Sequence, residues 1–122
     1  MILADTTIWI DHFRSENRAM RQQLEQRNIL IHPFITAELA LGSLRNRATT
    51  LAWLDLLPQA RVAQLGEVRQ MIEARNLHSR GIGLTDVHLI ASVFLHPPTK
   101  LWTNDKRLSA LADDLGIRAS LL

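Results

Sequence analysis

Residues 2–10 read ILADTTIWI, and the fold turns on how Asp5 sits among them. Ile2, Leu3 and Ala4 run into the acid, and Ile8, Trp9 and Ile10 follow it. An ionised carboxylate in such apolar surroundings is expensive unless something pairs with it. A short apolar run that gives way to helical spacing reads as a strand over Ile2–Ala4 and a helix over Thr6–Arg14. Asp5 then stands where the strand ends.

The same alternation continues outward. Short apolar runs recur at Ile29–Ile31, Arg61–Ala63 and Leu101–Trp102, and Ile117–Ala119 is a candidate for a last short strand. Helical spacing fills the intervals. Asn17–Arg27 carries Met20 and Leu24 one turn apart, and Phe34–Leu44 starts just after Pro33, a helix-start position. Thr49–Leu57 stops at Pro58, Glu67–Leu77 places Val68, Met71, Ile72 and Arg75 at helical intervals, and Leu84–Leu95 stops before Pro97-Pro98. Asp105–Leu115 ends at Gly116, a C-cap signal. Short strands alternating with helices predict an α/β fold, a small parallel β-sheet sandwiched by α-helices.

The 122 residues suit one domain, residues 1–122, and no repeat, linker or low-complexity segment divides them. Apolar residues make up 47% and the net charge is +2, an ordinary globular balance. No apolar run reaches the roughly 18 residues of a transmembrane helix. The N-terminal stretch lacks the basic segment of a signal peptide. The absence of cysteine excludes disulfides and thiolate-bound zinc and suits a reducing cytoplasm. The cations are twelve Arg and two Lys. Arg forks suit phosphate oxygens, so the charge permits nucleic acid without requiring it.

Ligands of open α/β sheets bind outside the carboxyl ends of the strands. Asp5 lies at such an end, and Asp105 lies just past Leu101–Trp102. Two more acids sit alone in apolar helices near their starts: Glu38 in FITAELAL (34–41) and Asp86 in GLTDVHLIA (83–91). Each has an ordinary structural explanation. Asp5 and Asp105 suit helix caps, Asp86 suits the positive end of a helix dipole, and Glu38 has Arg45 within reach as a partner. Four carboxylates converging on one edge would nevertheless repel strongly. A divalent cation resolves that repulsion, and an all-oxygen set favours Mg²⁺ or Mn²⁺ over zinc. Carboxylate-bound Mg²⁺ keeps waters and engages phosphates, which points to phosphoryl or phosphodiester chemistry.

At these residues the chain resembles the PIN-domain nucleases, in particular the VapC-type toxins of bacterial toxin–antitoxin pairs. The resemblance runs through Asp5-Thr6-Thr7-Ile8-Trp9-Ile10, Glu38-Leu39-Ala40-Leu41-Gly42, Gly81-Ile82-Gly83-Leu84-Thr85-Asp86 and Thr103-Asn104-Asp105-Lys106-Arg107-Leu108, in order. Thr7 stands where the family commonly has Ser, and His88 interrupts a run that is usually small and aliphatic. The resemblance implies a Mg²⁺- or Mn²⁺-dependent endoribonuclease acting on single-stranded or looped RNA. It implies that Asp5, Glu38, Asp86 and Asp105 form the catalytic, metal-binding cluster and that Thr7 and Asn104 orient it. It further implies a cognate antitoxin, a homodimer and a cytoplasmic location. His88 is expected as a packed or surface histidine.

Other readings are available to an acid at a strand end. A PIN-like scaffold that binds RNA or protein without cutting would keep the fold, although degenerate sites usually lose acids. An aspartate-based phosphotransfer domain is disfavoured, because a receiver needs an acidic pair after its first strand and a dehalogenase-type phosphatase needs an acid where Thr7 stands. A dinucleotide-binding fold lacks its glycine fingerprint after the first strand.

Overall fold

The computed structural model describes residues 1–121; Leu122 lies outside the described residues. The chain begins with β1 (Ile2–Ala4), α1 (Thr6–Ser15), α2 (Arg18–Glu25), β2 (Ile29–Leu30) and α3 (Pro33–Ala40). It continues with α4 (Arg47–Leu56), α5 (Leu65–Ala74), α6 (Leu84–Leu95), β3 (Lys100–Trp102) and α7 (Lys106–Asp114). The strands form one parallel sheet in the order β2-β1-β3, with Ile2 opposite both Ile29 and Lys100. Single parallel bridges extend it at each edge, Gln59 beside Ile31 and Arg118 beside Leu101.

The three residues of β1 are all buried, Leu3 and Ala4 completely. A parallel strand buried in this way needs helices over both faces, which gives the α/β sandwich its layers. Each fully buried side chain such as Leu3, Ile8, Ile35 or Leu101 contributes on the order of 1.5–3 kcal/mol. The chain moves from β1 to β2 on one side and later returns to β3 on the other. The order therefore reverses at β1, and the crevice between the carboxyl ends of β1 and β3 is the switch point at which such sheets bind ligands.

Some boundaries differ from those the sequence suggests. Arg61–Ala63 forms no strand. The pairing falls just before it, where Ile31 N–H donates to the Pro58 carbonyl at 2.9 Å and Ala60 N–H to the Ile31 carbonyl at 2.7 Å. Pro58 supplies only a carbonyl, which suits this edge position. Ile117–Ala119 does flank β3, bonded on both sides of Leu101 at 2.7 and 2.8 Å. Helix α3 stops at Ala40, short of Leu44, and leaves Leu41 88% exposed. In Gly81-Ile82-Gly83 only the first glycine is required. Its φ is +74°, and a Cβ there would lie 2.8 Å from the Arg107 guanidinium.

Of the two placements expected for His88 it takes the packed one, 5% exposed against Phe34 at a ring separation of 4.7 Å. His32 completes a triangle of rings, 4.8 Å from Phe34 and 6.4 Å from His88. It is fully buried and is the N-cap of α3, and its Nδ1 accepts the Phe34 N–H at 2.9 Å. Burial, and secondarily the charge of His88, pushes the His32 pKa down to about 4. Below the unfolded value near 6.5 the unfolded chain takes up a proton that the folded chain refuses, so this group removes stability as pH falls from about 6.5 to about 4. His32→Asn keeps a capping side chain and loses the titration. Its urea midpoint should start below that of the wild type at neutral pH, and the gap should narrow as the pH is lowered through that window.

Candidate active site

Asp5 leaves β1 in extended conformation and caps α1. Its N–H donates to the Trp102 carbonyl at 3.0 Å, which ties the exit of β1 to the end of β3. The carboxylate is 3% exposed. Oδ1 accepts the backbone N–H of Thr7 at 3.0 Å and of Ile8 at 3.3 Å, together with the Thr7 hydroxyl. Oδ2 accepts the Thr103 hydroxyl. These bonds favour the ionised form, yet burial outweighs them and holds the Asp5 pKa above the usual carboxylate value.

The other acids come from separate elements. Asp105 caps α7 through the Leu108 N–H at 2.9 Å and donates its own N–H to the Thr103 hydroxyl oxygen at 2.9 Å. Asp86 lies in the first turn of α6, half-buried. Its pKa is raised by burial first, then by the charges of Asp5, Asp105 and, least, Glu38, while a hydrogen bond with the Gly83 backbone pulls the other way. Each of the other three acids thus acts on Asp86. Glu38 stands in the second turn of α3, exposed, and makes no ion pair with Arg45. It borders a cleft of about 650 Å³ between α1 and the α3–α4 connection.

The capping roles and the electrostatic cluster coexist: Asp5 and Asp105 cap their helices with one oxygen each and still bear on Asp86. Among the described residues, however, no three His, Cys, Asp or Glu side chains converge closely enough to hold an ion as they stand. Two of the acids, Glu38 and Asp105, are exposed, so little packing restrains them. The donor set is all carboxylate, and burial raises the pKa of both Asp5 and Asp86, with neighbouring negative charge adding to the rise at Asp86. In chemistry the residues fit a hard divalent cation.

Thr103 is the residue that sequence reasoning missed. It lies within one of these motifs without a role, yet it hydrogen-bonds both Asp5 and Asp105. Asn104 meets the cluster through its backbone, donating N–H to the Thr7 hydroxyl oxygen at 2.9 Å. Thr7 and Thr103 therefore form a hydroxyl bridge from α1 to the β3–α7 turn.

Residues 2–114 match the family model described as the PIN domain. The chain belongs to the PIN-domain family. Two strains of Mycobacterium tuberculosis each have a protein named Ribonuclease VapC32 that is 38% identical to this PIN domain. In both, the match covers 96% of this chain and 94% of the relative. All four acids of this PIN domain lie inside the matched family region.

Two outcomes follow from the geometry. With raised pKa values, Asp5 and Asp86 hold protons in the folded chain that the unfolded chain has already released, so stability falls as pH rises from the ordinary carboxylate value through their raised ones. Asp86→Asn should therefore melt higher than the wild type in EDTA at neutral pH, and the advantage should vanish in acid below the ordinary carboxylate value. Thr103→Val leaves Asp5 Oδ2 without its donor and should cost about 1–3 kcal/mol in urea unfolding, whereas Thr103→Ser should restore most of it.

Proposed function

We propose that residues 1–122 form one nuclease domain, the toxin of a type II toxin–antitoxin pair, which hydrolyses RNA phosphodiester bonds with Mg²⁺ or Mn²⁺. The observation that carries this reading is the position of the acids. Asp5, Asp105 and Glu38, drawn from three other elements, all bear on Asp86, and Asp5 lies at the switch point of a PIN-domain sheet. The names of the similar mycobacterial ribonucleases support the same activity.

In this reading Asp5 and Asp86 would hold the ion, and the exposed Glu38 and Asp105 would complete its binding. The chemistry such a cation would supply is positive charge at the phosphate oxygens and a more acidic attacking water. The chain's own groups do the rest. The hydroxyls of Thr7 and Thr103 fix both Asp5 oxygens, so the buried carboxylate stays oriented. Glu38 and Asp105 are open to solvent and can accept the proton that the attacking water loses. Arginines hold the polyanion, which makes binding salt-dependent. A cognate antitoxin would neutralise the protein, a homodimer is the expected assembly, and the site of action is the cytoplasm. No helix of the described residues is long and apolar enough to cross a membrane.

Asp5→Asn tests the reading, since it keeps shape and removes charge. Cleavage of an RNA panel in Mn²⁺ should fall by at least about 100-fold, the loss expected when several kcal/mol of charge stabilisation is removed. Mn²⁺ should raise the melting temperature of the wild type by mass action and that of Asp5→Asn much less. Wild-type cleavage by Asp5→Asn, or cleavage by the wild type in EDTA, would refute the metal-cluster reading.

A further inference from the structure

Helix α1 turns Thr6, Ile10, Phe13 and Arg14 to one cleft, at the i, i+4, i+7, i+8 spacing of a single helix face. Glu38 and Arg45 line the same cleft from the α3 side. We infer that this cleft is an RNA subsite, in which Arg14 and Arg45 hold phosphates of the strand flanking the cut and Phe13 stacks one unpaired base. The inference rests on the ribonuclease reading above and names the groups that hold its substrate.

Both arginines are exposed, and among the described residues neither enters an ion pair. Their neighbour Arg47 is differently employed: its guanidinium donates to the Gly42 carbonyl at 3.2 Å and to that of Ala40, which fastens the connection that carries Arg45. Two free guanidinium groups in a cleft that borders a carboxylate site favour a polyanion over an apolar or basic peptide.

The aromatic wall points to single-stranded chain. Phe13 is 38% exposed, and its ring lies 5.6 Å from that of the fully buried Trp9. Trp9 also braces the half-exposed Trp53 at 6.0 Å, edge to face. Phe13 is thus backed by the core while one part of its ring stays open. Exposed aromatic rings beside arginines are the usual platform for unstacked bases, which a duplex does not offer. Arg14 lies eight residues beyond Thr6, about 12 Å along the helix at 1.5 Å per residue. Its phosphate is therefore displaced along the strand from Asp5.

Fluorescence anisotropy in EDTA, where the RNA stays intact, tests this with a short labelled single strand of mixed sequence and the matching duplex. In the double variant Arg14→Gln, Arg45→Gln the slope of log Kd against log salt should fall by about 1.4, roughly 0.7 for each lost phosphate contact. Arg14→Lys, Arg45→Lys should keep most of the slope. Phe13→Leu should weaken single-strand binding about 5- to 150-fold and leave the slope and the duplex affinity alone. An unchanged slope in the Gln variant, as expected if RNA binds elsewhere or a protein segment fills the cleft, overturns the inference. So does a Phe13→Leu loss that is equal for duplex and single strand. Should Phe13→Leu fail to fold, the exposed arginines decide the matter by their slope. Cleavage in Mn²⁺ keeps the two readings apart. A wild type that binds through the arginines and does not cut refutes the ribonuclease and leaves the RNA subsite. A wild type that cuts, with the slope unchanged in the Gln variant, refutes the subsite and leaves the ribonuclease.

Discussion

A carboxylate buried at the end of the central strand is held at both oxygens by threonine hydroxyls, Thr7 from the following helix and Thr103 from the turn after β3. Most of what the protein can do depends on that arrangement. Burial alone would drive Asp5 to take up a proton, and the hydroxyls and helix N–H groups oppose this without overcoming it. The same bonds stitch three elements together at the sheet edge. The protein therefore keeps a costly group where an apolar residue would pack more cheaply, and it is a group whose remaining need is positive charge.

The surrounding architecture brings further negative charge to that point. Asp105 is carried there by β3, which runs parallel to β1 and next to it, so residues just past the two strands share an edge. Asp86 arrives on the first turn of α6 and feels the other three acids. Glu38 arrives on the second turn of α3 and acts least of the three on Asp86. The two buried or half-buried acids are positioned by packing, Asp105 is held by one oxygen as the cap of α7, and Glu38 is exposed. That division suits a site that tightens around a cation.

Much of this was legible in residues 2–10 and their counterparts along the chain. Apolar runs bounded by proline, glycine and capping residues are local signals, so β1, α1, the start of α3 after Pro33 and the stop of α6 before Pro97 could be read directly. The Arg61–Ala63 run misled because a short apolar segment has no register of its own. The pairing moved to Pro58–Ala60, where the neighbouring strand offered partners. Thr103 was visible as a letter in a motif but not as a contact, since its bond to Asp5 spans 98 positions. The cleft lined by Phe13, Arg14 and Arg45 was equally hidden, because one wall comes from α1 and the other from beyond α3.

By itself the sequence determined most of the segments that become strands and helices, and that four acids stand near their ends. Those are consequences of short-range sterics, capping and hydrophobic period, which each segment carries within itself. Only the tertiary structure decided that β1 would lie between β2 and β3, that the order would reverse beside Asp5, and that Thr103 would close over it. Strand order and hydroxyl-to-carboxylate contacts are set by how whole faces pack together, and no local stretch of the chain encodes that.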